Sequence, residues 1–342
     1  MIVKMRLPRL NRLAMTSIKH FSADHKIMKT KFFLFLLITF NFILLTCLYP
    51  SFQDIGWGVR AGSMGNSFTA VADDVSAPLW NPAGISQLEM FETTFMYNKL
   101  FAGIDNVNLN QMFVAAVYPS QMGSFGIIAT DFSLWNYYKE NMLSVTYSND
   151  FSEYIKLKFP VMAGINFKYL SHTYILDKRT IDIDDPVFEK ISAGAFSPDI
   201  GILLKPYNFS FGVSALNILQ PDVGLKTEDK VPMIIKFGAA YHLNDWKIFE
   251  NITPTFDVSY RKPNGDKADI KISGGIEIWF SYHTLGFRLG GNDREIATGF
   301  SYNKTFGKSG LQIDYGFLFP IELTATSGSH RLSLTYKYFL KR

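Results

Sequence analysis

From about residue 91 to the end, apolar and polar side chains alternate with a period of two, in short blocks separated by turn residues. Leu143, Val145 and Tyr147 alternate with Ser144, Thr146 and Ser148, and Phe209, Phe211, Val213 and Ala215 alternate with Ser210, Gly212 and Ser214. Ile270, Ile272, Ile276 and Ile278 oppose Lys271, Ser273 and Glu277, while Leu311, Ile313, Tyr315, Phe317 and Phe319 oppose Gln312, Asp314 and Gly316. Successive side chains of an extended chain point to opposite faces, so each block has one apolar and one polar face. Fourteen such blocks predict strands at 91–98, 107–118, 123–132, 142–149, 160–171, 196–204, 208–216, 232–242, 252–260, 269–280, 283–290, 295–302, 310–319 and 330–339.

Alternation alone also fits a soluble β-sandwich. Three features favour a membrane wall. The blocks are roughly nine to eleven residues long, the length a tilted spanning strand needs. Aromatic residues crowd their ends, as at Tyr118, Trp135, Tyr137, Trp279 and Phe319, in the manner of interfacial girdles. The polar faces carry Gly, Ser, Thr and Asn, a lumen composition, where a soluble surface would carry Lys and Glu. Composition agrees, with 15% aromatic residues and only 19% charged, below the usual quarter for soluble domains. The predicted fold is therefore all-β, a 14-stranded antiparallel transmembrane β-barrel. An even count puts both ends of the wall on one side, and tight connections after the blocks ending at 118, 204 and 280 place that side in the periplasm.

The N-terminal region has a different character. Residues 32–49 form one apolar run behind Lys29 and Lys31, the charged-then-apolar order of a secretory leader. The expected organisation is a superfluous upstream extension at 1–27, a leader at 28–49, a plug at 50–90 and the barrel at 91–342. The one cysteine, Cys47, falls in the leader, so a disulfide or a CxxC metal site is excluded. Eight of the 34 Lys and Arg residues lie in the first 31 positions, so the net charge of +4 belongs to that extension. The rest is mildly acidic, and no nucleic-acid partner is expected.

Between leader and first strand, residues 58–84 read Gly-Val-Arg-Ala-Gly-Ser-Met-Gly-Asn-Ser-Phe-Thr-Ala-Val-Ala-Asp-Asp-Val-Ser-Ala-Pro-Leu-Trp-Asn-Pro-Ala-Gly. The glycine-rich turn, the acidic pair and the Asn-Pro-Ala-Gly ending resemble the N-terminal plug, or hatch, of the FadL family. Stretches at 211–217 (Phe-Gly-Val-Ser-Ala-Leu-Asn), 275–279 (Gly-Ile-Glu-Ile-Trp) and 287–291 (Phe-Arg-Leu-Gly-Gly) resemble its PorV and PorQ branch. The likeness extends over essentially the whole mature chain. It implies an outer-membrane location and a plug motif of Gly62, Gly65, Asp73, Asp74, Asn81, Pro82, Ala83 and Gly84. Gly62 and Gly65 would let the backbone turn or approach the wall closely. Asp73 and Asp74 suit capping of a helical turn near Ser76, and Asn81 before Pro82 suits an Asx-type turn, placed near the periplasmic mouth. The final strand resembles the C-terminal pattern read by the barrel assembly machinery, which would be a partner alongside outer-membrane lipid.

Nothing points to catalysis. The histidines at 20, 25, 172, 242, 283 and 330 lack metal-ligand spacing, and no GxSxG, P-loop or GxGxxG element stands at a strand-to-helix junction. Asp182, Asp184 and Asp185 could hold a cation, but without the EF-hand spacing they read better as a solvated acidic loop. No cofactor and no metal are expected. A lumenal ion pair is expected between Glu277 and Arg288, because a short turn near Ser281 puts the two polar-face charges across one ladder. Two functions follow from the resemblance: a PorV-like shuttle or surface-assembly partner working with type IX secretion-system proteins, or FadL-like passive uptake of a hydrophobic small molecule such as a long-chain fatty acid. The charged connections at 171–195 and 218–231 weigh toward the first.

Overall fold

The computed structural model describes residues 51–52, 54–104, 108–135, 137–176, 191–263, 268–323 and 325–340. The expected extension and leader, Cys47 and the Asp182, Asp184, Asp185 group lie outside the described residues. A one-turn helix, α1 (Val59–Ser63), and two 3-10 turns, Ala77–Leu79 and Pro82–Gln87, precede the wall. The wall is built from β1 (Phe91–Leu100), β2 (Leu109–Ser120), β3 (Gly123–Leu134), β4 (Tyr138–Asp150), β5 (Val161–Tyr174), β6 (Ser192–Leu204), β7 (Phe209–Leu216), β8 (Ile234–Tyr241), β9 (Leu243–Trp246), β10 (Phe249–Arg261), β11 (Asp269–Phe280), β12 (Leu285–Asn292), β13 (Glu295–Phe306), β14 (Ser309–Pro320) and β15 (Ser329–Tyr338). Successive strands pair antiparallel, and β15 pairs with β1 from Phe91↔Tyr338 to Lys99↔His330, closing the barrel.

Fifteen strands make fourteen staves. β8 and β9 both pair with β10, through Thr255↔Ala240 and Ile252↔Leu243, in a register that does not shift between them. The gap falls opposite Pro254, which has no N–H to donate to the ladder. The expected 14-stranded antiparallel barrel is thus the observed fold. Several strands run further than alternation alone predicts: β4 begins at Tyr138 and β6 at Ser192, each four residues ahead of its expected start. Tyr138, Lys139, Glu140 and Asn141 have no apolar face, because the ladder continues above the band that lipid must cover.

The two faces are inverted relative to a soluble protein. Phe167 is 56% exposed while its neighbours Asn166 and Lys168 are buried, and Leu143, Val145, Ile270 and Ile272 are exposed while Ser144 and Ser273 are buried. Turning a charge outward at mid-membrane would cost about 2–4 kcal/mol for Arg or Lys, which fixes the register of every strand. β1 starts and β15 stops at one end of the barrel, here the terminal end. The turns at 121–122, 205–208, 247–248, 281–284 and 307–308 lie there, and the connection at 151–160 adds the short helix α2 (Ser152–Ile155). The longer connection at 217–233 lies at the opposite, loop end, held by the bridge Asp222↔Lys230.

Candidate functional site: the filled lumen

Residues 54–88 occupy the space enclosed by the wall. Met64, Phe68, Val75, Trp80 and Ile85 are fully buried and form one cluster with the lumen-facing Phe113, Ile128, Met142 and Leu170. The segment runs end to end. At the loop end, Ser51 Oγ donates to Asp229 (2.6 Å) and Phe52 N to Glu140 Oε1 (2.8 Å). At the terminal end it passes directly into β1.

Glycines on both sides allow the backbones to meet. Gly65 has φ +67° and faces the backbone of Gly291, so a Cβ there would fall 2.3 Å from Gly291 N. Across from it, a Cβ on Gly290 would fall 2.2 Å from the carbonyl carbon of Met64. Only glycine satisfies both the backbone angle and the approach at Gly65. Asn81 is extended before Pro82, and its Oδ1 accepts from Ala83 N (3.1 Å), starting the second 3-10 turn. Its Nδ2 donates to Thr69 O and to Ile202 O of β6, both at 3.0 Å. Ala83 O accepts from Ser148 of β4, and Gly84 lies against Ala72 O, where a Cβ would fall 2.0 Å away.

Charges on the wall hold the segment at several heights. Glu277 of β11 stands directly opposite Arg288 of β12, with Oε1 2.5 Å from Arg288 Nε. The same carboxylate accepts from Nε and Nη2, one edge of Arg60 from α1, at 3.0 and 2.8 Å. Arg60 also reaches Asp73 (2.9 Å) and Asp74 (3.3 Å), and Asp74 accepts from Ser76 N and Oγ. Arg288 continues to Ser301, and Asp314 lies 3.7 Å beyond. The result is a line of alternating sign across the lumen: Asp314, Arg288, Glu277, Arg60, then Asp73 and Asp74. Burial works against the Arg60 charge, but Asp73, Glu277 and Asp74 outweigh it and hold its pKa well above the usual value. Bidentate arginine–carboxylate geometry adds orientation to charge.

Further seats are independent of that line. Asp257 Oδ2 of β10 accepts from Phe68 N and Thr69 N at 3.0 and 2.9 Å, Arg331 of β15 donates to the carbonyls of Gly58 and Ile55 at 3.1 Å, and Lys236 of β8 pairs with Asp54 at 3.0 Å. Burial alone would raise the Asp54 pKa, but Lys236, aided by Lys271 and Arg261, holds it well below the ordinary range. Arg60, Asp257, Arg331 and Lys236 were not singled out from the sequence. Their signal there is faint: each is a lone charge in a run of small residues or on the polar face of a strand.

Cavities flank the segment among the described residues, and two of them are the larger ones. One of about 80 Å³ toward the loop end is lined by Phe52, Ile55, Trp57 and Leu79 and by the Lys168–Asp199 pair. The other, about 360 Å³, opens at the terminal end beneath Arg60 and Asp73. Among the described residues no group of three His, Cys, Asp or Glu side chains is placed to hold a metal.

The family model for the type IX secretion system membrane protein PorP/SprF matches residues 76–336, which take in the last part of the lumen segment and nearly the whole wall. The chain belongs to the PorP/SprF family. It is accordingly an outer-membrane barrel of type IX secretion. No curated protein matches it in sequence. Among solved structures it is similar to the CymD monoaromatic hydrocarbon channel (TM-score 0.56, 12% identity, covering 85% of this chain and 100% of that one). It is also similar to a FadL homologue of Pseudomonas aeruginosa (0.51, 12%, 82% and 98%) and to the toluene transporter TodX of Pseudomonas putida (0.52, 10%, 85% and 100%). At such identities the likeness establishes the FadL-type barrel fold and nothing about cargo. A PorP/SprF barrel with this lumen has to be understood from its own contacts.

Proposed function

We propose that this PorP/SprF protein is a non-enzymatic, closed barrel that holds or assembles secreted proteins at the outer surface, in the manner of the PorV and PorQ branch, and moves no solute. Residues 54–88 act as its plug. The observation that carries this reading is the set of lumen seats: wall charges from β8, β10, β11 and β15 each grip a different part of the segment. A plug that must yield to a passing molecule would be held by fewer buried ionic contacts, since breaking each leaves an uncompensated charge. The loop-end cavity, at about 80 Å³, falls below the roughly 300–1,000 Å³ of sites that bury a drug-sized ligand. Secretion-system proteins are the expected partners. Lipid surrounds the apolar face, and the barrel assembly machinery inserts the chain after leader removal.

The competing reading is FadL-like uptake of hydrophobic small molecules, which the names of CymD and TodX suggest for those proteins. Purified protein in planar bilayers decides between them, together with uptake of a radiolabelled long-chain fatty acid by cells expressing it. The intact barrel is expected to be silent and to leave uptake at background, whereas removal of residues 58–84 opens a conducting pore. Fatty-acid uptake above background by the intact protein, abolished by filling the loop-end cavity, would overturn the proposal.

A further inference from the structure

The terminal-end cavity is built differently from the lumen above it. It opens between three neighbouring hairpins, the turns at 205–208, 247–248 and 281–284. One wall is a ladder of neutral groups: Ser210 Oγ with His242 Nε2 (2.9 Å), His242 Nδ1 with Thr253 Oγ1 (3.2 Å), and Asn251 Nδ2 donating to Asn244 Oδ1 (2.7 Å). The Asn244 amide nitrogen and the Asn208 side chain have no partner among the described residues, leaving donors and an acceptor directed to whatever enters. The two carboxylates of the lining, Asp73 and Glu277, are both engaged by Arg60, and Glu277 also by Arg288. Lys205 is not matched in that way. Its Nζ donates to the neutral Gln87 Oε1 (2.8 Å), and no carboxylate among the described residues lies within ion-pair distance. Among the described lining residues, Lys205 is thus the cation without a carboxylate partner, beside the mutually paired Arg60, Asp73 and Glu277.

The rim adds an independent observation. Tyr207 is 97% exposed, Tyr282 96% and Ile248 76%, one at each of the three turns. Both tyrosines have left-handed backbone, φ 55° and 57°, where glycine or asparagine is the usual choice. Tyr207 also contributes to the lining of the cavity. Large side chains in water around a polar recess match the centre of a protein interface, where tyrosines supply much of the binding energy.

We propose that this vestibule docks a short acidic segment of a periplasmic protein, a function distinct from holding cargo at the outer face. A carboxylate of that segment pairs with Lys205, its main chain bonds to Asn208 and Asn244, and its flanking apolar side chains pack under Tyr207, Ile248 and Tyr282. The barrel lacks cysteine outside the expected leader, so single cysteines can map the site. Lys247→Cys, Ser281→Cys and, on a distant turn of the same end, Met122→Cys, all at exposed positions that leave Tyr207, Ile248 and Tyr282 in place, are labelled with a charged maleimide in permeabilised cells of the native host and again after purification into lipid nanodiscs. If nine barrels in ten are occupied, labelling at 247 and 281 in cells falls about tenfold relative to 122, because only the free fraction reacts. The three positions should react alike in nanodiscs, and adding Lys205→Glu or the milder Lys205→Gln should restore labelling in cells. Equal labelling in cells overturns the proposal. So does protection that persists in nanodiscs, which would mean lipid or the chain itself covers the site, and so does protection removed by lysozyme digestion, which would make a cell-wall glycan the occupant.

Discussion

Replacing Glu277 by Gln tests how the lumen segment is held, because one carboxylate joins the wall to α1. The substitution keeps the shape and one acceptor but removes a charge that takes two N–H groups of Arg60 and one of Arg288. Truncating one partner of a buried ionic pair costs about 3–5 kcal/mol. Both arginines keep other partners, Asp73 and Asp74 for Arg60 and Ser301 for Arg288, so we expect the lower end, about 3 kcal/mol. At about 2 °C per kcal/mol for a large domain, the midpoint of heat-modified unfolding on gels should drop by about 6 °C. Arg288→Met should cost less, because Arg60 still neutralises Glu277. The double variant Glu277→Gln with Arg288→Met should fall short of the sum of the singles by about 1 kcal/mol or more, as groups in one network do. In a barrel lacking residues 58–84 the Glu277→Gln effect should shrink, since Arg60 is gone. Strictly additive singles, or an undiminished effect without the segment, would refute the idea that this carboxylate ties the wall to the lumen segment.

Two further outcomes are expected. Gly65→Ala should loosen the segment, because the methyl would meet the Gly291 backbone at 2.3 Å in a left-handed conformation; faster cleavage within 54–88 by added protease in a still heat-modifiable barrel would show it, and unchanged cleavage would contradict the seating described. Mass spectrometry of isolated outer membranes should find no peptide from residues 1–46, and recovery of one spanning 32–49 would remove the leader assignment.

The wall was legible because lipid imposes the same demand on every second residue. The strand expected at 269–280 is β11, end for end, as Ile270, Ile272, Ile276 and Ile278 mark one face on either side of Gly274. Legibility fades where lipid does: the polar start of β4 at Tyr138 to Asn141 belongs to the ladder by hydrogen bonding alone. In the lumen the limit is different. A hairpin fixes which residues share a rung, so a pair such as Glu277 and Arg288, eleven positions apart, can be considered from sequence. Arg60 meets the same carboxylate across 217 positions, and nothing local encodes that meeting. The motif ending in Asn81, Pro82, Ala83 and Gly84 marks the segment through its turn chemistry, while the wall residues that receive it, Asp257 and Arg331, look like any lumen-facing charge. Their partners depend on which staves close around which part of the segment.

The Arg331 contact bears on the order in which the protein is made. Arg331 lies on β15, the most C-terminal of the described strands, and β15 pairs with β1 to close the cylinder. The same side chain grips the carbonyls of Gly58 and Ile55, a stretch that emerged before any stave existed. β15 thus meets two surfaces, the free edge of β1 and the N-terminal stretch, and joining either brings the other within reach. Closing the cylinder and holding its contents are coupled through one side chain.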